Sequence, residues 1–144
     1  MTDMTDMTDM ADDDFVVAFF SGRLPPTSFH HRDHLRLAWC LIRKSGIETA
    51  AGMITGGIRH FATQHGHAEK YHETLTQFWV RIVSHMIDAR PDVAAFDRFL
   101  EIYPHLLDTA LPYYHWSRET MQSADARARW VEPDVLALPV STPH

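Results

Sequence analysis

The chain has 144 residues, of which 45% are hydrophobic, and a formal net charge of −6. Six of its 19 acidic residues precede Arg23, the first basic residue, so the 13 acidic and 13 basic side chains that remain balance. A neutral body of this length predicts one globular domain, excludes the basic surface of a nucleic-acid-binding protein and gives no support for membrane binding. Cys40 has no second cysteine to pair with. Without a signal sequence or a membrane-spanning apolar run, we expect a cytoplasmic protein.

The chain begins with three copies of a Met-Thr-Asp triplet, which predict a disordered acidic leader over residues 1–11 and a single helical domain over residues 12–144. The apolar run after Asp14 indicates a short first helix. Glycine and proline then end four longer predicted helices, which cover residues 28–46, 47–64, 70–89 and 93–102. Two short helices near 117–122 and 123–130 and a proline-rich tail follow. No strand-like alternation is present, so we predict an all-α bundle of four or five helices with an irregular C-terminal wrap.

Eleven histidines are the one unusual feature of the composition. At 100° per residue, His31 and His34 lie one turn apart in the apolar stripe of the helix predicted over 28–46. In the helix predicted over 70–89, His72 lies on the apolar face. Burying three imidazoles without partners would cost about 1 to 3 kcal/mol for each unpaired group. We therefore predict a functional site at which the three rings converge.

Three neutral imidazoles that leave one coordination position open are typical of a catalytic metal site. The set suits zinc, iron, copper or nickel, and the ligand type does not choose among these metals. Glu69 and Glu73 flank His72 and are predicted to handle protons, while either of them, Asp33 or His115 could add a ligand or orient a ring. The leading hypothesis is a small metal-dependent enzyme that acts on a small organic substrate.

Aromatic and polar side chains near these histidines are the predicted substrate contacts: Tyr71, Thr76, Trp79, Tyr114 and His115. The last two belong to a run of four large amphipathic residues that could form a lid or a pocket wall. Three further histidines, His60, His65 and His67, surround the end of the helix predicted over 47–64. A cation is favoured there by the helix dipole. His60 points away from the apolar face of that helix, so we predict that it lies on a solvated surface.

Three alternatives stay open. In the first, no metal binds, and His72 is the general acid or base of a lyase, isomerase or cyclase while His31 and His34 orient the substrate. In the second, the chain is a haem- or metal-binding accessory module without catalysis. The most ordinary alternative is a helical interaction protein whose histidines are merely packed. Beyond a small molecule the only partner we consider is a second copy of the chain, because neither nucleic acid nor a membrane is expected.

Three strings, FHHRDHL at 29–35, KYHETLT at 70–76 and ARWVEPD at 128–134, resemble those of a group of small all-helical bacterial proteins. The resemblance covers nearly all of the chain after the leader, and it implies no particular activity. DinB-like bundles, which hold an open metal with three histidines, are similar in architecture only. Their late H-x-x-x-H pair has no counterpart in this sequence.

Overall fold

The computed structural model describes residues 10–139, and within that range no strand is present. The helices are, in chain order, α1 (Asp12–Phe20), α2 (His31–Gln64), α3 (Glu73–Ala89), α4 (Phe96–Ile102), α5 (Arg118–Met121) and α6 (Ala124–Ala128). Four 3-10 turns connect them, at Pro26–Ser28, Ala68–Lys70, Pro104–Leu107 and Leu111–Tyr114. The predicted all-α fold is confirmed. Most of the predicted leader lies outside the described residues, and Met10, near its end, packs against the core.

The two helices predicted over 28–46 and 47–64 form the single element α2, which is kinked at Gly46. Gly46 has φ +81° and ψ 163°, a conformation that L side chains rarely adopt, so the predicted boundary and the kink coincide. The element begins at His31, three residues later than predicted, because Pro26–Ser28 forms a 3-10 turn. The backbone N–H of His30 donates to the Asp33 carboxylate at 2.9 Å and satisfies a group at the helix start.

The start of α3 also differs from the prediction, because the helix begins at Glu73 and residues 68–70 form a 3-10 turn. His72 is the N-cap residue, and its ring accepts the backbone N–H of Leu75 at 3.1 Å. Histidine is not among the preferred N-cap residues, so the sequence carries no usual start signal here. The end of α3 at Ala89, before Pro91, agrees with the prediction.

The core lies between α2 and α3, with α1 packed on α2 and the C-terminal part of the chain packed on α3. Leu35 and Phe78 are fully buried in this core, and so is Trp116 from the C-terminal part. Burying each side chain of this size stabilises the fold by about 1.5 to 3 kcal/mol. The indole N–H of Trp116 donates to the carbonyl of Val131 at 3.1 Å, which fastens the irregular C-terminal segment to the bundle.

Among the described residues, no helix combines the length and the apolar character needed to cross a membrane.

Candidate functional site

A cavity of about 410 Å³ is lined by residues of α2, α3 and the segment that joins them. Six of the 11 histidines line it, and we call it the histidine pocket: His30, His31, His34, His65, His67 and His72. Its volume lies within the range of about 300 to 1,000 Å³ that is usual for small-molecule sites. A larger cavity of about 520 Å³ is lined mainly by residues of α3 and of the C-terminal segment, and one of them is His85. None of the site residues predicted from the sequence lines it, so we do not place the site there.

The structure brings together most of the residues predicted as ligands or substrate contacts. The predicted metal ligands His31, His34 and His72 all line the histidine pocket, and so do Tyr71, Thr76 and Trp79. The four other predicted site residues do not line it: Glu69, Glu73, Tyr114 and His115. The pocket therefore combines imidazoles with aromatic and aliphatic side chains, and its lining contains no carboxylate.

His72 is held by hydrogen bonds at both ring nitrogens. Its Nε2 lies 2.7 Å from the carbonyl oxygen of Met121, and its Nδ1 accepts the N–H of Leu75. A carbonyl oxygen only accepts, so Nε2 carries the proton and the ring is neutral. Burial lowers the pKa of His72. Both nitrogens are engaged in holding the fold, so His72 can ligate a metal or transfer a proton only if one of these bonds breaks.

The ring of His31 is held by a hydrogen bond at one nitrogen, and its other nitrogen is available to a ligand. Its Nε2 lies 2.8 Å from the carbonyl oxygen of Leu106, so this nitrogen carries the proton, and Nδ1 keeps a lone pair. The ring packs edge-on against Trp79, with 4.4 Å between the ring centroids. A carbonyl on one nitrogen fixes both the tautomer and the direction of the other nitrogen, which is the arrangement found at catalytic and metal-binding histidines.

His34 is neutral and makes no hydrogen bond through its ring to any other residue of the described part of the chain. The ring stacks on Phe29 with 4.2 Å between centroids. Burial, reinforced by the nearby rings of His31 and His30, lowers the pKa of His34 from 6.5 to about 4. A neutral imidazole without a partner at the wall of a cavity is available to a ligand, whether a metal or an organic group.

Two pocket histidines, His65 and His67, were missed by the sequence analysis, which assigned them no place in a site. The segment after α2 turns back on the helix, and the N–H of His67 donates to the carbonyl of Ala62 at 2.7 Å. Nε2 of His65 is buried and has no hydrogen-bond partner among the described residues. Helical periodicity carries no information on residues beyond the end of a helix, so it could not have placed them. His60 is exposed, as predicted.

The two carboxylates predicted to handle protons lie outside the pocket. Glu73 accepts hydrogen bonds from the Tyr71 hydroxyl at 2.7 Å, from Arg59 at 3.0 Å and from Gln77 at 2.6 Å. These contacts make it a positioning residue for the Tyr71 ring, whose pKa is raised by burial and by this hydrogen bond. Glu69 is exposed.

Tyr114 and His115, predicted as substrate contacts, lie away from the pocket. The Tyr114 side chain is 63% exposed. His115 is buried beside Phe78, and its Nδ1 lies 2.9 Å from the carbonyl oxygen of Leu136. His115 therefore holds the C-terminal segment in place.

Within residues 10–139, no group of three or more His, Cys, Asp or Glu side chains has an arrangement that could hold a metal ion. A zinc, iron, copper or nickel centre at His31, His34 and His72 stays a prediction, and it requires the rings to rearrange. Comparisons of the chain with protein-family models, with curated proteins and with solved structures gave no match.

Proposed function

We propose that this protein binds a small organic molecule in the histidine pocket and transfers a proton to or from it without a metal, as a lyase, isomerase or cyclase does. The observation that carries the proposal is the geometry of His31. Its ring lines the pocket, its Nε2 is bound to the Leu106 carbonyl, and its Nδ1 retains a lone pair. Imidazole is the side chain most often used for proton transfer near neutral pH.

The other pocket residues supply binding and orientation. His34 offers a neutral imidazole without a partner in the described chain, and Trp79 and Phe29 supply aromatic surface on which an apolar part of the substrate packs. In this proposal His72 supports the pocket wall and His31 takes the role of acid or base, since the two nitrogens of His72 are already bound.

The test uses untagged protein incubated with a small-molecule extract and analysed by mass spectrometry for substrates that are depleted as isomers or elimination products appear. We expect conversion by the unmodified protein and by His60→Ala, an exposed histidine outside the pocket. His31→Ala should abolish conversion, and a chelator should leave it unchanged. Conversion that survives in His31→Ala would contradict the proposal.

A metal-dependent enzyme at the same pocket is the second candidate, and the state of His34 favours it. A histidine ligates a metal only when its ring is neutral, and His34 is neutral and has no competing hydrogen bond within the described residues. Elemental analysis of untagged protein, with melting curves before and after chelation, separates the two candidates. About one equivalent of zinc, iron, copper or nickel and a lower Tm after chelation would select the metal enzyme.

A further inference from the structure

We propose that the molecule held in the histidine pocket is an organic carboxylate with a planar apolar body. The inference rests on the proposed function, in that it takes the pocket as a small-molecule site, and it adds the charge and shape of the ligand. Three observations support it: the charges of the pocket lining, the cluster of imidazoles at one part of the wall, and a series of aromatic rings.

The lining contains six histidines and Lys70, and no carboxylate. Three acidic residues adjoin lining residues in the sequence, and none of them lines the pocket. Asp33 accepts the N–H of His30, Glu73 is bound by Tyr71 and Arg59, and Glu69 is exposed. A cationic ligand would therefore lose its hydration without gaining a counter-charge. An anion would be stabilised by the charge of Lys70 and by the N–H groups of the imidazoles.

His30, His31 and His34 lie close enough for their charges to interact, and the nearby rings of His31 and His30 help to disfavour protonation of His34 in the empty pocket. The protonated nitrogen of a neutral imidazole is a hydrogen-bond donor, so the ring of His34 can bind a carboxylate oxygen without gaining a charge. The other titratable groups of the lining are His65 and His67 after α2, Lys70, and Tyr71 and His72 before α3.

The apolar part of the ligand is indicated by a series of four rings. Successive centroids are 4.2 Å apart from His34 to Phe29, 5.1 Å from Phe29 to Phe61 and 4.5 Å from Phe61 to His65. The two end rings are imidazoles, and Nε2 of His65 is buried without a partner among the described residues. A planar ligand can pack on such a surface while its polar end reaches an imidazole.

The test compares three probes of one shape and different charge: phenylacetate, phenylacetamide and 2-phenylethylammonium. Binding is measured by calorimetry at pH 6.5 and followed by NMR at the histidine side chains. We expect phenylacetate to bind at least about tenfold more tightly than the amide, the ammonium not to bind, and the resonances of the pocket histidines to shift.

Matched variants remove one charge at a time. Lys70 lines the pocket, and Lys70→Gln should weaken the binding of phenylacetate several-fold. Lys44 is exposed and lies outside the pocket, and Lys44→Gln should leave that binding unchanged. His34→Phe keeps a ring against Phe29 and should abolish the preference for the anion. Since His34→Phe could perturb folding, the lysine pair provides an independent comparison.

The outcomes separate this inference from the proposed function. If the amide or the ammonium bound as tightly as phenylacetate or more tightly, with shifts at the pocket histidines, the inference of a carboxylate ligand would be wrong. The proposed small-molecule site would then still hold. Binding of no probe, or shifts confined to histidines outside the pocket, would overturn both.

Discussion

The side chain of His72 joins two parts of the chain that lie 49 residues apart, since its Nε2 is 2.7 Å from the carbonyl oxygen of Met121. The same ring accepts the N–H of Leu75 and so caps α3. One imidazole thus begins a helix, fastens α5 onto it and forms part of the wall of the histidine pocket. The pocket owes this part of its shape to a histidine whose nitrogens are both occupied.

Removing the His72 ring should destabilise the protein. We expect His72→Ala to lower the free energy of unfolding by about 2 to 4 kcal/mol, because a helix cap and a buried hydrogen bond are both lost. His72→Asn should recover about half of that loss, since asparagine caps helices well but is too short to reach Met121. Urea denaturation measures the difference, with the exposed His60→Ala as the control. Equal stability of the alanine and asparagine variants would contradict the assignment of two separate bonds.

The low pKa of His34 makes stability depend on pH. The unfolded chain binds a proton at this residue near pH 6.5, whereas the folded protein does so only near pH 4. The unfolded state therefore binds more protons between these values, and stability falls as the pH is lowered from about 6.5 to 4. We expect His34 to account for about 2 to 3 kcal/mol of the loss. The measurement is the difference between the free energies of unfolding at pH 7 and pH 4.5, obtained from denaturation curves. In His34→Gln this difference should be smaller by that amount, and an unchanged difference would show that other groups cause it.

Two glycines of α2 should respond to alanine in opposite directions. Gly46 has φ +81°, and a Cβ there would meet nothing within 4 Å, so the cost of Gly46→Ala is entirely one of backbone strain. We expect Gly46→Ala to lower the free energy of unfolding by about 1 to 3 kcal/mol. Gly52 is helical, and a Cβ there would also meet nothing within 4 Å. Gly52→Ala should therefore raise the free energy of unfolding by about 0.5 to 1 kcal/mol. Thermal or urea unfolding of the pair measures both signs. If both variants were stabilised, Gly46 would not be a kink.

The thiol of Cys40 should react slowly in the folded protein. Burial, together with the nearby carboxylate of Asp12, raises the pKa of Cys40 to about 12. The thiolate is the reactive form, so at pH 8 the folded chain should alkylate on the order of a thousandfold more slowly than the chain unfolded in urea. Mass spectrometry of iodoacetamide adducts follows both reactions. Similar rates in the two states would mean that the thiol is not shielded.

Several helix boundaries could be predicted because their signals are local. Gly46 marks the kink in α2, and Pro91 marks the end of α3 at Ala89. The start of α3 was placed three residues too early. Its cap is a histidine, which becomes useful only because Met121, distant in sequence, holds the other side of the ring.

The histidine pocket was predictable in part. Periodicity on the helices places His31 and His34 on an apolar face, and both line the cavity. The same rule cannot reach His65 or His67, which enter the pocket because the chain turns back after α2. The roles predicted for Glu69 and Glu73 stay predictions, and both residues lie outside the pocket lining.

From the sequence alone follow the helical class, the places where glycine and proline interrupt the helices, and the inward direction of the first histidines, because each depends on neighbours within a turn or two. Only the tertiary structure decides which imidazole nitrogens are occupied. The partners of His31 and His72 are main-chain carbonyls 75 and 49 residues away, and every residue carries such a carbonyl. A group common to all residues leaves no mark in the sequence, so the free nitrogens of the pocket are known only once the chain has folded.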